Sequence, residues 1–194
     1  LLMCFSCTEQ PVKEDFVTDC EKSNFVKTPR FAETMAWFQK LADYSPMVKI
    51  SSFGTSPQGR DLSLVIVDKD GLQDPAKIRA KGRVIILIES CIHSGEPDGK
   101  DASMMFIRDM VVEKKNIDLL DDVSFVFIPV FNVDGHENFS ATNRINQNGP
   151  EELGTRNTAQ LINLNRDFLK ADAPEMRAWL KLYNRWMPEL FIDV

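Results

Sequence analysis

Histidine is scarce in this chain: only His93 and His136 occur among 194 residues. The second is followed by Glu137, but Ser140 stands where a second ligand would complete the helical His-Glu-x-x-His pattern of many zinc peptidases, which excludes that motif and leaves His136 a structural residue. No apolar run approaches the roughly 18 residues of a membrane-spanning helix. A basic stripe is also lacking. The 23 Lys and Arg are scattered against 29 Asp and Glu, for a net charge of −6, and this argues against nucleic acid as the main partner. No internal repeat or low-complexity stretch is present. What remains, 43% hydrophobic and 27% charged, is the profile of one globular domain able to bury a core.

The four cysteines point to no disulfide framework. Cys4-x-x-Cys7 lacks the surrounding strand-helix unit of a redox pair, and Cys20 and Cys91 read as a linker thiol and a buried small hydrophobe. The apolar start, Leu1-Leu2-Met3-Cys4-Phe5-Ser6-Cys7, resembles the tail of a bacterial lipoprotein signal with Cys7 as the lipidated residue, or else a truncated secretory leader. Either reading predicts export, as a periplasmic or outer-membrane lipoprotein or a secreted protein. Residues 1–26 are thus expected to be an export-signal remnant and, from 8 to about 26, a polar aperiodic linker. Residues 27–194 are expected to form one continuous unit.

Within that unit, apolar residues at helical spacing predict a helix over residues 31–44, with Pro29 near its first turn. Strands are expected at 47–53 and 62–67, paired across the turn-rich Gly54-Thr55-Ser56-Pro57-Gln58-Gly59. The continuous apolar run at 84–88 suits a central strand covered on both faces. A helix at 98–112, a buried strand at 123–131, a helix from Asp172-Ala173-Pro174-Glu175 to about residue 186, and a strand starting at 190 complete the pattern. Alternating strands and helices imply a three-layer α/β/α fold with a mixed, mostly parallel central sheet.

Ligands of such sheets bind beyond the carboxyl ends of the strands. Two stretches fall there. In Glu89-Ser90-Cys91-Ile92-His93-Ser94-Gly95-Glu96-Pro97, an imidazole and a carboxylate three residues apart on a turn can reach one metal ion at ~2.0–2.2 Å, although a Gly- and Asp-rich loop can equally serve as a helix cap. In Ile162-Asn163-Leu164-Asn165-Arg166-Asp167-Phe168, a guanidinium beside an amide suits the grip of a carboxylate, and an internal Arg166–Asp167 pair is the alternative.

The ordered set His93-Ser94-Gly95-Glu96, Asn132-Val133-Asp134-Gly135 and Asn165-Arg166, with Gly59-Arg60 ahead of it, closely resembles the carboxypeptidase A-like zinc carboxypeptidases over residues 47–194. The resemblance implies one Zn2+ held by His93 and Glu96, and a substrate peptide or protein whose free C-terminal carboxylate is gripped by Asn165 and Arg166. It also implies an arginine that stabilises the oxyanion. Arg156 is the candidate by its spacing to Asn165-Arg166 and Arg144 its rival; Gln147 stands where alignment to the animal digestive enzymes wants an arginine. Val133 replaces the family's usual proline.

The resemblance places the third zinc ligand, a histidine, immediately after Val194, with the general base and the side-chain pocket later still, so these 194 residues are expected to be inactive by themselves. Zinc metallocarboxypeptidase activity is therefore the expectation for the parent protein. Two alternatives stand beside it: a non-catalytic module or pseudoenzyme that binds peptide C-termini, and a zinc amidase acting on cell-wall peptides.

Overall fold

A computed structural model of the chain describes residues 13–194. Five strands, β1 (Val48–Thr55), β2 (Asp61–Val67), β3 (Val84–Glu89), β4 (Val123–Ile128) and β5 (Leu190–Asp193), form one mixed sheet in the order β1-β2-β4-β3-β5. The β1–β2 and β2–β4 ladders are antiparallel, and β3 runs parallel to both β4 and β5. The helices are α1 (Asp19–Lys22), α2 (Phe31–Tyr44), α3 (Pro75–Ala80), α4 (Asp98–Val111), α5 (Val133–Glu137) and α6 (Pro174–Trp186).

Strand side chains alternate between faces, and here both faces are apolar. Leu64 and Ile66 of β2 join Val126 and Ile128 of β4 on one side, under Trp179, Leu182 and Trp186 of α6. Val65, Val67, Phe125 and Phe127 point the other way, toward Phe38 and Leu41 of α2 and Met104, Ile107 and Met110 of α4. Each such side chain contributes roughly 1.5–3 kcal/mol on full burial. The result is the expected three-layer α/β/α arrangement, but the strand at the centre is β4, with β3 next to the edge strand β5, and the sheet is evenly mixed rather than mostly parallel, two of its four ladders being antiparallel.

Some boundaries differ from the sequence pattern for identifiable reasons. The strand expected over 123–131 stops at Ile128 because Pro129 has no N–H to continue the ladder. Helix α3 escapes a periodicity search because it is six residues long, although Asp74 caps Lys77 N at 3.0 Å and Pro75 opens the first turn.

The linker expected over residues 8 to 26 is corrected from Lys13 onward. Phe16 is buried against Trp37 and Tyr44, and Thr18 and Glu21 close a reciprocal capping box on α1. Arg108 of α4 then grips Glu21 at 2.5 Å, and Thr28 donates to Asp101 at 2.8 Å. Cys20 is accordingly buried and free, like Cys91, rather than a linker thiol. Cys4, Cys7 and the expected anchor lie outside the described residues. Among the described residues no helix is long and apolar enough to cross a membrane.

Candidate functional site

The parallel strands β3, β4 and β5 point their carboxyl ends to one side, and the loops leaving them converge there. Backbone bonds lock the loop after β3 to the loop after β4: Phe131 N donates to Ser90 O at 3.0 Å and Asn132 N to Cys91 O at 3.1 Å. Ser94 Oγ adds a bond to Asn132 O at 2.5 Å.

His93 and Glu96 sit on this braced loop, closed by Glu96 N donating to His93 O at 2.9 Å. His93 Nδ1 lies 3.1 Å from Glu96 Oε2. Two donors each ~2.0–2.2 Å from one ion, at 90 to 109° between bonds, stand about 3.0–3.4 Å apart, so the pair fits adjacent positions around zinc. Burial works against the charged Glu96, but hydrogen bonds from Arg144 and His93 outweigh it and hold the carboxyl below its usual range. Among the described residues no group of three or more His, Cys, Asp or Glu side chains converges as a metal cage. What the loop brings together is one imidazole and one carboxylate at the spacing of neighbouring ligands.

The other ring nitrogen finds a partner that sequence reading missed. His93 Nε2 lies 3.1 Å from Asn163 Oδ1, across 70 residues of chain. An amide oxygen can only accept, so Nε2 carries a proton; Nδ1, facing Glu96 Oε2, donates to that carboxylate when it too is protonated, and in the neutral ring it would have its lone pair free for an ion, the usual arrangement behind a metal-binding imidazole. The same Asn163 oxygen accepts from Asn165 N at 3.1 Å and caps the 3-10 turn Leu164–Arg166. One side chain thus ties the proposed carboxylate grip to the proposed metal ligand. Asn165 is half-buried beside this junction. Arg166 is exposed, its Nη1 donating to the Asn165 carbonyl at 2.8 Å. The internal Arg166–Asp167 pair does not form, because Asp167 turns away to accept from Asp172 N and Ala173 N at 3.0 and 2.8 Å.

Both oxyanion candidates approach Glu96. Arg144 Nη2 bonds Oε1 at 2.5 Å, whereas Arg156 Nη1 stands 3.6 Å from the same atom, beyond hydrogen-bond reach. Arg156 borders a groove of about 570 Å³ that runs between Gln58-Arg60, α5 and residues 155–161. Its floor is fixed by Asp134, which accepts from Ser56 Oγ at 2.8 Å, Gln58 N at 3.0 Å and Arg60 Nη1 at 2.7 Å. The Gly59-Arg60 and Asn132-Val133-Asp134-Gly135 motifs are therefore one device, holding the β1–β2 turn to α5. Gly154 passes over α5 so closely that a Cβ would lie 2.5 Å from Gly135 O. Val133, in the position of the family's proline, is fully buried against Leu62, Cys91 and Val130.

His136 is structural, as its sequence context indicates. It is fully buried between Glu137, 2.9 Å from Nδ1, and Lys100, 3.2 Å from Nε2.

The family model of the zinc carboxypeptidases matches residues 34–193. A carboxypeptidase B from Astacus astacus is 26% identical over 127 residues, which are 64% of this chain and 39% of that protein. Among solved structures, a carboxypeptidase A from Helicoverpa armigera superposes with a TM-score of 0.64 at 19% identity, over 87% of this chain and 46% of its own. A metallo-carboxypeptidase from Burkholderia cenocepacia gives 0.60 at 19% identity, over 84% and 39%. These two similarities concern the fold. The chain spans less than half the length of each of these three proteins.

Proposed function

We propose, from the premise that this chain belongs to the zinc carboxypeptidase family, that it forms the N-terminal part of a catalytic domain that hydrolyses the C-terminal peptide bond of peptides or proteins. The observation that carries the reading is the 3.1 Å approach of His93 Nδ1 to Glu96 Oε2, with the opposite ring nitrogen committed to Asn163.

In this reading His93 and Glu96 hold the zinc. Bound there, zinc supplies Lewis acidity toward water and toward the scissile carbonyl. Asn163 keeps the imidazole in the tautomer that ligation needs. Arg166, exposed and without a carboxylate partner among the described residues, grips the terminal carboxylate together with Asn165 and so brings the adjacent bond to the metal. Arg156, lying at the groove beside Glu96, places positive charge where the carbonyl oxygen becomes negative.

The test is release of C-terminal amino acids from a peptide panel by the protein that carries this chain. Release that disappears in His93→Ala and on chelation, and returns with zinc for the unaltered protein alone, is the expected result. Release that persists in His93→Ala sinks the proposal, and so does peptide binding without any hydrolysis.

A further inference from the structure

We propose that the groove between β1 and α6 is a docking site for an acidic, extended segment of a partner protein, which lies along the open edge of β1 and sets its carboxylates against Arg177, Lys181 and Arg185. None of these residues belongs to the candidate site, and the inference does not rest on the peptidase reading.

β1 is the outermost strand: it pairs with β2, and among the described residues no strand pairs with its other edge. Its register is regular over residues 48–52 and shifts only at the bulge before Gly54. Such an edge carries backbone N–H and C=O groups that another extended chain can use. Opposite Leu64 and Ile66, on the face under α6, β1 places Ser51 and Lys49. Neither closes that face with apolar bulk. α6 meets β1 closely at Gly54, where a Cβ would lie 2.8 Å from Ala178 Cβ. Further along the helix a groove of about 350 Å³ remains between residues 51–53 and residues 181–186, with Leu64 and Ile66 in its lining.

The charge on the helix side of this groove is not neutralised within the fold. Arg177, Lys181 and Arg185 follow one another at intervals of four along α6, so they share one exposed face and repel one another. Among the described residues none is bonded to a carboxylate; Arg177 donates to the carbonyls of Ala171 and Asp172 at 2.9 and 2.6 Å. Arg79, Arg83 and Arg108 hold glutamate or aspartate partners instead. In a chain of net charge −6 this short row is a local excess of the opposite sign, and it selects a negatively charged partner. Leu64, Ile66 and Trp186 are buried at the bottom, so the groove can receive an apolar side chain but offers none to insert into a lipid surface. A strand in which acidic and apolar residues alternate fits both features.

The probe is a fluorescein-labelled peptide of alternating Glu and Val, amidated at its C-terminus so that no free terminal carboxylate invites the candidate site. Fluorescence polarisation with the protein that carries this chain should show binding that weakens as salt rises and is absent for the same peptide with Lys in place of Glu. Lys181→Glu combined with Arg185→Glu is expected to weaken it at least about 10-fold with the melting temperature unchanged; the milder Lys181→Gln with Arg185→Gln gives a smaller loss in the same direction. Ser51→Leu, which fills the groove, should remove the preference for Val over Ser in the peptide. No binding of the Glu-Val peptide overturns the proposal, as does binding that the charge-reversed protein retains in full or that the Lys peptide matches. Equal binding of a version interrupted by Pro, which lacks N–H groups for strand pairing, overturns the placement along β1. Co-sedimentation with phosphatidylserine vesicles that is lost in the charge-reversed protein, without peptide binding, would make this face a membrane contact instead.

Discussion

His93 and His136 each stand beside a glutamate and a cation, yet the two clusters have opposite chemistry. At His136 the cation sits on the imidazole. Lys100 Nζ can only donate, so Nε2 accepts from it at 3.2 Å and Nδ1 carries the proton toward Glu137. Lys100 also donates to Pro29 O at 2.6 Å, and Glu137 accepts from Phe31 N at 2.9 Å. Every donor atom of the ring is used within a sealed core that fastens residues 29–31 to α4 and α5. At His93 the cation sits on the carboxylate instead, Arg144 holding Oε1 while Oε2 faces Nδ1. In the proposed reading, only the pair whose cation sits behind the carboxylate is left able to take a metal ion.

The contrast breaks most readily at His136. Replacing it with alanine leaves buried Lys100 and half-buried Glu137 without their shared partner, and should cost about 3–5 kcal/mol of stability by urea unfolding. Zinc affinity should be unchanged in the fraction that remains folded. A variant that loses zinc but not stability would make His136 the ligand and reverse the comparison. Asn163→Ala tests the other cluster from its rear: zinc affinity is expected to fall about 10- to 100-fold by chelator competition, with Asn163→Asp retaining it.

The smallest effect is a pH dependence. Burial lowers the pKa of His136 to about 4 and the Lys100 charge acts in the same direction, against an unfolded value of 6.5. Between pH 6.5 and 4 the unfolded chain therefore takes up a proton that the folded one refuses, and stability falls as pH falls, by up to about 1.4 kcal/mol per pH unit from this group. Glu137 is the opposite kind of group. Burial opposes its charge, but the bonds from His136 and Phe31 N hold its pKa near about 2, so its contribution is full above pH 4.5 and is lost as pH falls toward 2. Unfolding free energies of the unaltered protein and His136→Gln at pH 7, 6 and 5 should diverge in slope. Parallel curves would mean that His136 is not the group that titrates.

Much of this was legible in the sequence where the signal is local. The periodicity of Phe31–Tyr44 and of Pro174–Trp186 reflects helices with one buried face, and the unbroken apolar run of β4 reflects a strand covered on both sides, whereas in β3 Ile85 and Leu87 are buried but Ile86 and Ile88 on the other face only half so. His93 and Glu96 are three residues apart, so one turn brings them together. Asn163 was not legible, because its partner is 70 residues away and nothing in its own neighbourhood marks it. Arg156 could be nominated ahead of Arg144 from spacing, but that Arg144 is the one bonded to Glu96 depends on a fold-back over Gly95 that no spacing encodes. The capping signature Thr18-x-x-Glu21 was present in the sequence, whereas the pocket that accepts Phe16 arises only when α2 is in place.

The β3–β5 ladder carries a consequence for how the domain assembles. Glu189 clamps Ile85 twice, its N–H donating to Ile85 O at 2.9 Å and its carboxylate accepting from Ile85 N at 2.7 Å, between residues 104 apart in sequence. The β1–β2 hairpin, by contrast, pairs across a tight turn between Thr55 and Asp61. Closing the long loop costs more chain entropy than closing the short one, and its reward comes only once β3, β4 and α6 are already in position. Residues 190–193 should therefore dock after the β1–β2 hairpin has formed, and so should the part of the sheet edge that they cover.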